Sequence, residues 1–440
     1  MTIFATATAA GRAGLAVVRV SGPAAGAALA ALAGETPPAR RAVRRRLRHP
    51  VSGAALDDAL VLWFEGPASF TGEDVAEFHL HGGWAVAAAV LDALAALPGL
   101  RPAEPGEFTR RAFDNGKLDL TAVEGLADLV AAETEAQRRQ ALRQLDGELG
   151  RLYDGWRGRL LGALAHVEAV IDFPDEDLPA SIADEVKHKV LCVLDSLTQH
   201  LDDTHRGERL RDGVFIAIVG APNVGKSSLL NRLARRDAAI VAQESGTTRD
   251  VIEVQIDLGG YPATLADTAG LRDTADAVES EGVRRALARA AAADLKLAVI
   301  DAAAWPAIDA RTRALIDDDT LVVVNKTDLA ALPADAMLDG RPPWPISCLT
   351  GDGVEALIAG LTAAIEARYA PGAAPALTRT RHRAALEDCA AALTRCRAAP
   401  APELAAEDLR LAVRALGRIT GRVDVEDLLD VIFAEFCIGK

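Results

Sequence analysis

The pattern of apolar and polar positions changes character several times along the chain. Over residues 1–117 short apolar stretches, such as "LAVVRV" (15–20) and "ALVLWF" (59–64), stand between polar segments, and "WAVAAAVLDALAAL" (84–97) has the composition of a helix. That mixture predicts an α+β domain over 1–117. From Leu118 apolar residues recur at helical spacing with no proline for about fifty residues, which predicts long helices. "DFPDEDLP" (172–179) interrupts them, and the helical pattern resumes to about Arg211. "VFIAIVG" (214–220) is a continuous apolar run ending in glycine, as expected of a buried parallel strand. "LKLAVID" (295–301) and "TLVVVNK" (320–326) repeat it with helical stretches between, so 212–372 reads as a doubly wound α/β domain. "APGAAP" (370–375) reads as a linker, and 373–440 is helical again. A helical segment on each side (118–211 and 373–440) suggests an α/β module inserted into one helical domain. Two separate helical domains would give the same periodicity. The expected class is multidomain, α/β plus all-α.

Composition narrows the partners. The chain has 440 residues, half of them hydrophobic, enough for two or three domains with substantial cores. A net charge of −15 and a pI near 5.1 argue against a protein that coats DNA. The charge is uneven, since residues 1–117 hold twelve Lys/Arg against eleven Asp/Glu. Their basic run "ARRAVRRRLRHP" (39–50) reads as a solvated loop or edge strand, or as a contact to a phosphate backbone. The cysteines at 192, 348, 389, 396 and 437 have no metal-ligand spacing, and an odd, scattered set fits a reducing cytosol. The eight histidines suggest no metal cluster; His79 and His81 alternate on an expected strand. No apolar run reaches 18 residues and no basic segment precedes an apolar one at the start, so neither a membrane span nor a signal peptide is expected, and the expected location is cytoplasmic.

The chemistry lies in the α/β module. "GAPNVGKSS" (220–228) satisfies the P-loop pattern directly after an expected strand. Gly220 and Gly225 let backbone N–H groups turn inward, so that Asn223, Val224, Gly225, Lys226, Ser227 and Ser228 form a phosphate cradle. In it Lys226 brings positive charge to the β/γ oxygens and Ser227 a hydroxyl to Mg²⁺. "GTTRD" (246–250) offers Thr247 and Thr248, the latter as second Mg²⁺ contact. Asp267 is expected at a strand end, opening the turn Asp267-Thr268-Ala269-Gly270. "NKTD" (325–328) supplies Asn325 and Lys326 as braces and Asp328 as acceptor for guanine N1–H and its amine, groups adenine does not present. "ISCLTGDG" (345–352) places Ser347 and Cys348 beside O6. These parts, in this order, specify a GTP-binding domain. One part departs from Ras-type enzymes: Leu271 stands where a water-orienting glutamine would be.

Together with "GRAGLAVVRVSG" (11–22), "SFTGEDVAEFHLHGG" (69–83), "PGEFTRRAFDNGKLDL" (105–120), "IDFPDED" (171–177), "DTAGLRDT" (267–274) and the terminal "FCIGK" (436–440), these motifs resemble the MnmE (TrmE) family of tRNA-modification GTPases. The likeness spans essentially the whole chain. The resemblance implies a tetrahydrofolate-binding and homodimerising domain over 1–117 and a GTPase domain inserted into a helical domain. It implies a partner, MnmG, carrying FAD and using NADH, in a heterotetrameric or larger complex that acts on tRNA. The joint product would be an aminomethyl or carboxymethylaminomethyl group on C5 of the wobble uridine, its one-carbon unit drawn from methylene- or formyl-tetrahydrofolate.

The resemblance also implies residue roles. Arg19, Glu77 and Lys117 match folate-contacting positions; the plainer reading is surface ion pairs or a strand-end carboxylate. Lys440 resembles the family's tail contact with folate, and Cys437 is either an inert thiol or a reactive group carried by that tail. Asn223 can hold K⁺ beside the phosphates, closed over by "AQESGTT" (242–248), with Ala242, Glu244 and Thr247 in the set. Positive charge there would serve as an arginine finger does. Glu279 matches the catalytic position that would orient water; otherwise it is a solvated helix residue. Two positions depart from the commonest family pattern: Leu349, where the guanine loop often carries Arg or Lys, and Ala242, where the potassium loop often carries Thr. A ribosome-assembly GTPase binding RNA by itself is the alternative, but no KH-like "GxxG" clamp or basic extension accompanies these motifs. A folate-dependent enzyme whose GTPase only regulates assembly is a third.

Overall fold

In the N-terminal residues the strands Ala16–Ser21 and Val43–Arg48 alternate buried and open positions because one face lies on a core, whereas Thr2–Thr6 is buried on both faces. The computed structural model describes residues 1–9, 11–173, 181–203, 205–236, 252–267, 288–369, 375–423, 426–434, 436 and 439. The chain divides into two compact units, one of residues 1–127, 143–194 and 388–440, the other of 128–142 and 195–387.

The first unit opens with β1 (Thr2–Thr6), β2 (Ala16–Ser21), β3 (Val43–Arg48), β4 (Ala55–Phe64), β5 (Val75–Leu80) and β6 (Leu100–Pro102), in the sheet order β3-β4-β5-β2-β1-β6. All pairs are antiparallel except β1 with β6. Val18, Val20, Phe78 and Leu80 face a core shared with the helices Ala25–Ala33 and Trp84–Ala95. On β2 and β5 Arg19, between Val18 and Val20, and Glu77, next to Phe78, stand directly opposite one another across the strands. The basic run folds as the edge strand β3: Leu47 is buried while Arg44, Arg46 and Arg48 are exposed, and Arg46 pairs with Asp58 at 2.7 Å. A row of cations on an unpaired edge discourages edge-to-edge association.

The long helical stretch after Leu118 is three helices, Leu120–Ala131, Glu135–Leu145 and Glu148–Asp172. The breaks have local causes. The Gln137 side-chain oxygen accepts from the backbone N–H groups of Glu133 and Thr134, both at 3.0 Å, satisfying donors a continuous helix would use internally. Gly147 takes a left-handed φ of 79°, open mainly to glycine, at the start of the third helix. That third helix packs along Pro402–Thr420: Tyr153, Trp156, Leu160, Ala163 and Val167 recur at helical spacing, as do Leu409, Ala412, Val413, Leu416 and Ile419. Another cluster seats Leu429, Ile432, Phe433 and Phe436 against Leu120 and Val123.

The second unit holds β7 (Val214–Val219), β8 (Ile252–Leu258), β9 (Tyr261–Asp267), β10 (Leu295–Asp301), β11 (Thr320–Asn325) and β12 (Trp344–Pro345), ordered β12-β11-β10-β7-β9-β8. All pairs are parallel except β8 with β9. The chain leaves β7 for one side of the sheet and later returns through β10 on the other. The end of β7 is therefore the switch point at which ligands bind in such sheets. In the same unit Arg383 ties its segment to Asp203 at 2.7 Å and to the Leu201 carbonyl at 2.8 Å. Burial lowers the neighbouring His200 to about 4, so that imidazole is neutral at physiological pH.

Gly106 tests the packing of the C-terminal cluster. It has φ of 67°, and a Cβ there would strike the Phe433 carbonyl oxygen and crowd its Cβ at 3.0 Å. Gly106→Ala should cost about 1–3 kcal/mol from the backbone and steric terms together. A lowered first transition in a thermal melt is the expected result; an unchanged melt would mean the helix Glu426–Ala434 yields freely.

Candidate nucleotide site

At the end of β7 the backbone is forced into conformations that glycine tolerates. Gly220 and Gly225 have φ of 154° and 103°, and Asn223 sits between them at 63°. A Cβ on Gly220 would meet the Val299 carbonyl oxygen, and one on Gly225 the Asn325 amide. The loop ends in the helix Lys226–Arg236, whose first turn aims backbone N–H groups at the cradle. Lys226 Nζ donates to the carbonyls of Gly220 and Ala221, both at 2.9 Å. Burial lowers this ammonium's pKa from the usual lysine value, against the opposing pull of Asp267 and Asp309. Ser227 Oγ donates to Asp267 Oδ2 at 2.5 Å, so a hydroxyl from the helix and a carboxylate from the end of β9 converge. A hydroxyl beside a carboxylate is an oxygen donor set suited to Mg²⁺. Val224 is buried, and Ser228 is exposed on the following turn.

The base-side residues meet the P-loop through one amide. Asn325, 2% exposed, donates from Nδ2 to the Val224 carbonyl at 2.9 Å, and its Oδ1 accepts from the Cys348 N–H at 3.0 Å. Lys326, at φ of 66°, donates to the Asn223 carbonyl at 2.8 Å and to Asp301 Oδ2 at 2.7 Å. Ser347 Oγ donates to Asp328 Oδ1 at 2.6 Å, fixing the carboxylate assigned to guanine. The structure thus brings Asn223, Val224, Lys326, Asn325, Asp328, Ser347 and Cys348 into one constellation. Burial pushes the Cys348 thiol up to about 11, so it is uncharged beside the base position at neutral pH. Asp301 was not legible as a site residue. Its only signal is register, since it pairs with Asn325 across β10 and β11. The Lys326 ammonium holds its carboxyl below the ordinary carboxylate range.

Several expected residues lie outside the described residues: Ala242, Glu244, Thr247, Thr248, Thr268, Ala269, Gly270, Leu271, Glu279, Cys437 and Lys440. So does most of the expected linker at 370–375.

In the first unit Arg19 Nε donates to Glu77 Oε1 at 2.9 Å, and His79 Nε2 lies 3.2 Å from the other oxygen. Both partners are largely sheltered, and the guanidinium stands 5.7 Å from the Phe70 ring centre and 5.9 Å from that of Phe108. Lys117 Nζ donates to the Pro67 carbonyl at 3.0 Å, on the loop that also carries Phe70. A cleft of about 770 Å³ opens nearby on the sheet, lined by Thr6, Thr8, Leu15, Trp84 and Leu91 among others; Arg19, Glu77 and Lys117 do not line it. Gly439 packs on Thr6 so closely that a Cβ would strike its carbonyl, which brings the end of the chain to the rim of that cleft. His81 Nδ1 donates to Asp57 Oδ1 at 2.7 Å, and among the described residues no group of three or more His, Cys, Asp or Glu side chains could hold a metal. No helix among them is long and apolar enough to cross a membrane.

Comparison with known proteins follows the same lines. A family model described as the MnmE helical domain matches residues 120–437, and one described as the GTP-binding protein TrmE N-terminus matches 2–117. A tRNA modification GTPase MnmE of Rhodospirillum rubrum is 61% identical over 451 residues, covering 100% of this chain and 99% of that protein. Proteins of the same name from Paramagnetospirillum magneticum and Parvibaculum lavamentivorans are 61% and 59% identical, each over 100% of this chain and at least 99% of their own length.

The double role of Asn325 is open to test. Asn325→Ala removes the link between the P-loop and the Cys348 turn and leaves the Val224 carbonyl without its donor. GDP binding should weaken by about 1–3 kcal/mol, roughly five- to 150-fold. A calorimetric affinity equal to that of the parent would mean the two loops are held together by other contacts.

Proposed function

The chain belongs to the MnmE (TrmE) family, and on that premise we propose that it is a GTPase that acts in tRNA modification. The observation that carries this reading is the Asn325 bridge. It joins a P-loop to a turn whose serine holds an aspartate suited to guanine. Asp328 offers two acceptor oxygens to the guanine N1–H and amine, and an adenine in the same place would leave them unpaired. Asp267 and Ser227 would hold Mg²⁺ with Thr248, and that ion would neutralise charge on the β- and γ-phosphates. The family match over residues 2–117 disfavours an assembly factor that binds RNA by itself.

The finer reading joins three parts. Residues 1–117 form the tetrahydrofolate-binding and dimerisation domain, 118–211 and 373–440 the two segments of one helical domain, and 212–372 the inserted GTPase. With MnmG, its FAD and NADH, the homodimer installs the aminomethyl or carboxymethylaminomethyl group on the wobble uridine, using a methylene- or formyl-tetrahydrofolate. Arg19, Glu77 and Lys117 serve the folate, with Lys440 and the Cys437 thiol brought in by the tail. The Gly439 contact with Thr6 supports a tail that ends against this domain. The Arg19–Glu77 pair means that a ligand must either replace that contact or bind it as a preformed dipole. Asn223, which is exposed on the P-loop, supports a monovalent-cation site completed by Ala242, Glu244 and Thr247. Glu279 takes the water-orienting role that Leu271 cannot.

Nucleoside mass spectrometry of tRNA from cells lacking the protein tests the main reading: the C5-modified wobble uridine should disappear, and its persistence would overturn it. Hydrolysis should be slow in Na⁺ and clearly faster in K⁺, and Glu279→Ala should lose at least about a hundredfold in kcat while still binding GTP. Equal rates in the two salts would remove the cation site. Titration with tetrahydrofolate should show binding that Arg19→Ala weakens; identical heats from both proteins would remove the folate assignment.

A further inference from the structure

We infer that Arg232, a residue with no place in the P-loop or guanine motifs, is a positioning residue for guanine recognition. It lies one turn beyond the phosphate-binding serines, on the helix Lys226–Arg236. Its guanidinium donates through Nη1 to the carbonyls of Cys348 at 3.3 Å and Leu349 at 3.4 Å, and through Nη2 to that of Thr350 at 3.1 Å. Three successive carbonyls therefore face one cation. Gly351 closes the turn at φ of 97°, and a Cβ there would fall on Arg232 Nη2, so the approach also depends on a glycine.

Peptide planarity turns this contact into a statement about the other face of the loop. In a trans peptide the N–H points opposite to the C=O of the preceding residue. Drawing the Cys348, Leu349 and Thr350 carbonyls towards Arg232 thus sends the N–H groups of Leu349, Thr350 and Gly351 the other way. Two of these have partners there: Thr350 N–H reaches Ser347 Oγ at 3.2 Å and Gly351 N–H the Ser347 carbonyl at 2.8 Å. Ser347 in turn holds Asp328. The remaining one, on Leu349, is turned to the same side, where the acceptor O6 of a guanine beside Asp328 would meet an N–H donor. Packing does not do this in place of Arg232. A cavity of about 510 Å³ lies between helix and loop, lined by Ser228, Arg232, Cys348 and Gly351 among others. The guanidinium is a strut across that space, and without it the Leu349 and Thr350 carbonyls lose their tie to the helix.

This inference rests on the guanine-nucleotide reading, and its test separates the two. The full chain and its Arg232→Met and Arg232→Lys variants would be titrated with GDP, ADP and the diphosphate of 2-aminopurine riboside, which keeps the amine but lacks both O6 and the N1–H, so each variant is compared with the parent for the same nucleotide. The expected result is a loss of about tenfold in GDP affinity for Arg232→Met with the 2-aminopurine nucleotide little changed. Arg232→Lys should fall between, since one ammonium cannot fork to three carbonyls. At saturating GTP the kcat should stay within about twofold, the loss appearing in KM. Equal losses for GDP and the analogue, or no loss for either, would overturn the positioning role. Should Arg232→Met melt early, Arg232→Lys with a parental melt carries the same comparison. A parent chain with no preference for GDP over ADP would instead overturn the nucleotide reading itself.

Discussion

The nucleotide site depends on satisfying one buried amide. Asn325 sits at the end of β11 with almost no solvent, so both its donor and its acceptor need partners within the protein. They find them on opposite loops, Val224 of the P-loop and Cys348 of the base-side turn. Losing either contact strands a polar group where water cannot replace it, at about 1–3 kcal/mol. Neither loop can therefore move independently at low cost. Lys326 strengthens the tie by joining Asn223 to Asp301. The left-handed φ values of Asn223 and Lys326 persist because the contacts around them over-determine the backbone.

Much of this was legible beforehand, for a physical reason. Parallel strands buried on both faces are continuous apolar runs, so the spans at 214, 295 and 320 announced β7, β10 and β11 almost to the residue. Motifs that touch one ligand are short and local, so their residues could be named from spacing. What escaped was of two kinds. Helix breaks at Gly147 and around Gln137 rest on single residues inside a strongly helical pattern, and periodicity averages over them. Asp301 and Arg232 escaped because their partners lie far along the chain, Lys326 across the β10–β11 register and Cys348–Thr350 more than a hundred residues away. No spacing rule connects them.

The N-terminal residues show the same limit from the other side. The resemblance points to Arg19 and Glu77 as folate contacts, yet what their charges do depends on strand pairing. Placed opposite one another on β2 and β5, they neutralise each other beneath Phe70 and beside Phe108. A half-sheltered pair of this kind contributes little stability, because desolvation offsets most of the attraction. Its persistence on a sheet face is easier to understand as a dipole held ready than as a brace. The basic run tells the opposite story: its arginines project from an edge strand into water, where the pairs of Arg44 and Arg46 with Asp58 are worth little.

Helix geometry carries the coupling of the nucleotide's two ends further than the Asn325 bridge alone. Ser227 and Arg232 are five residues apart on one helix, a rise of roughly 7.5 Å. Ser227 faces Asp267, while Arg232 reaches under the carbonyls of Cys348, Leu349 and Thr350. A rigid helix of this length hardly stretches, so the separation between the phosphate cradle and the base-side turn is set by covalent geometry. The amide of Asn325 then fixes the same separation from the opposite side, through β11. Two independent struts of fixed length, one helical and one at a strand end, leave the site little freedom but to accept a ligand whose phosphates and base lie one nucleotide apart.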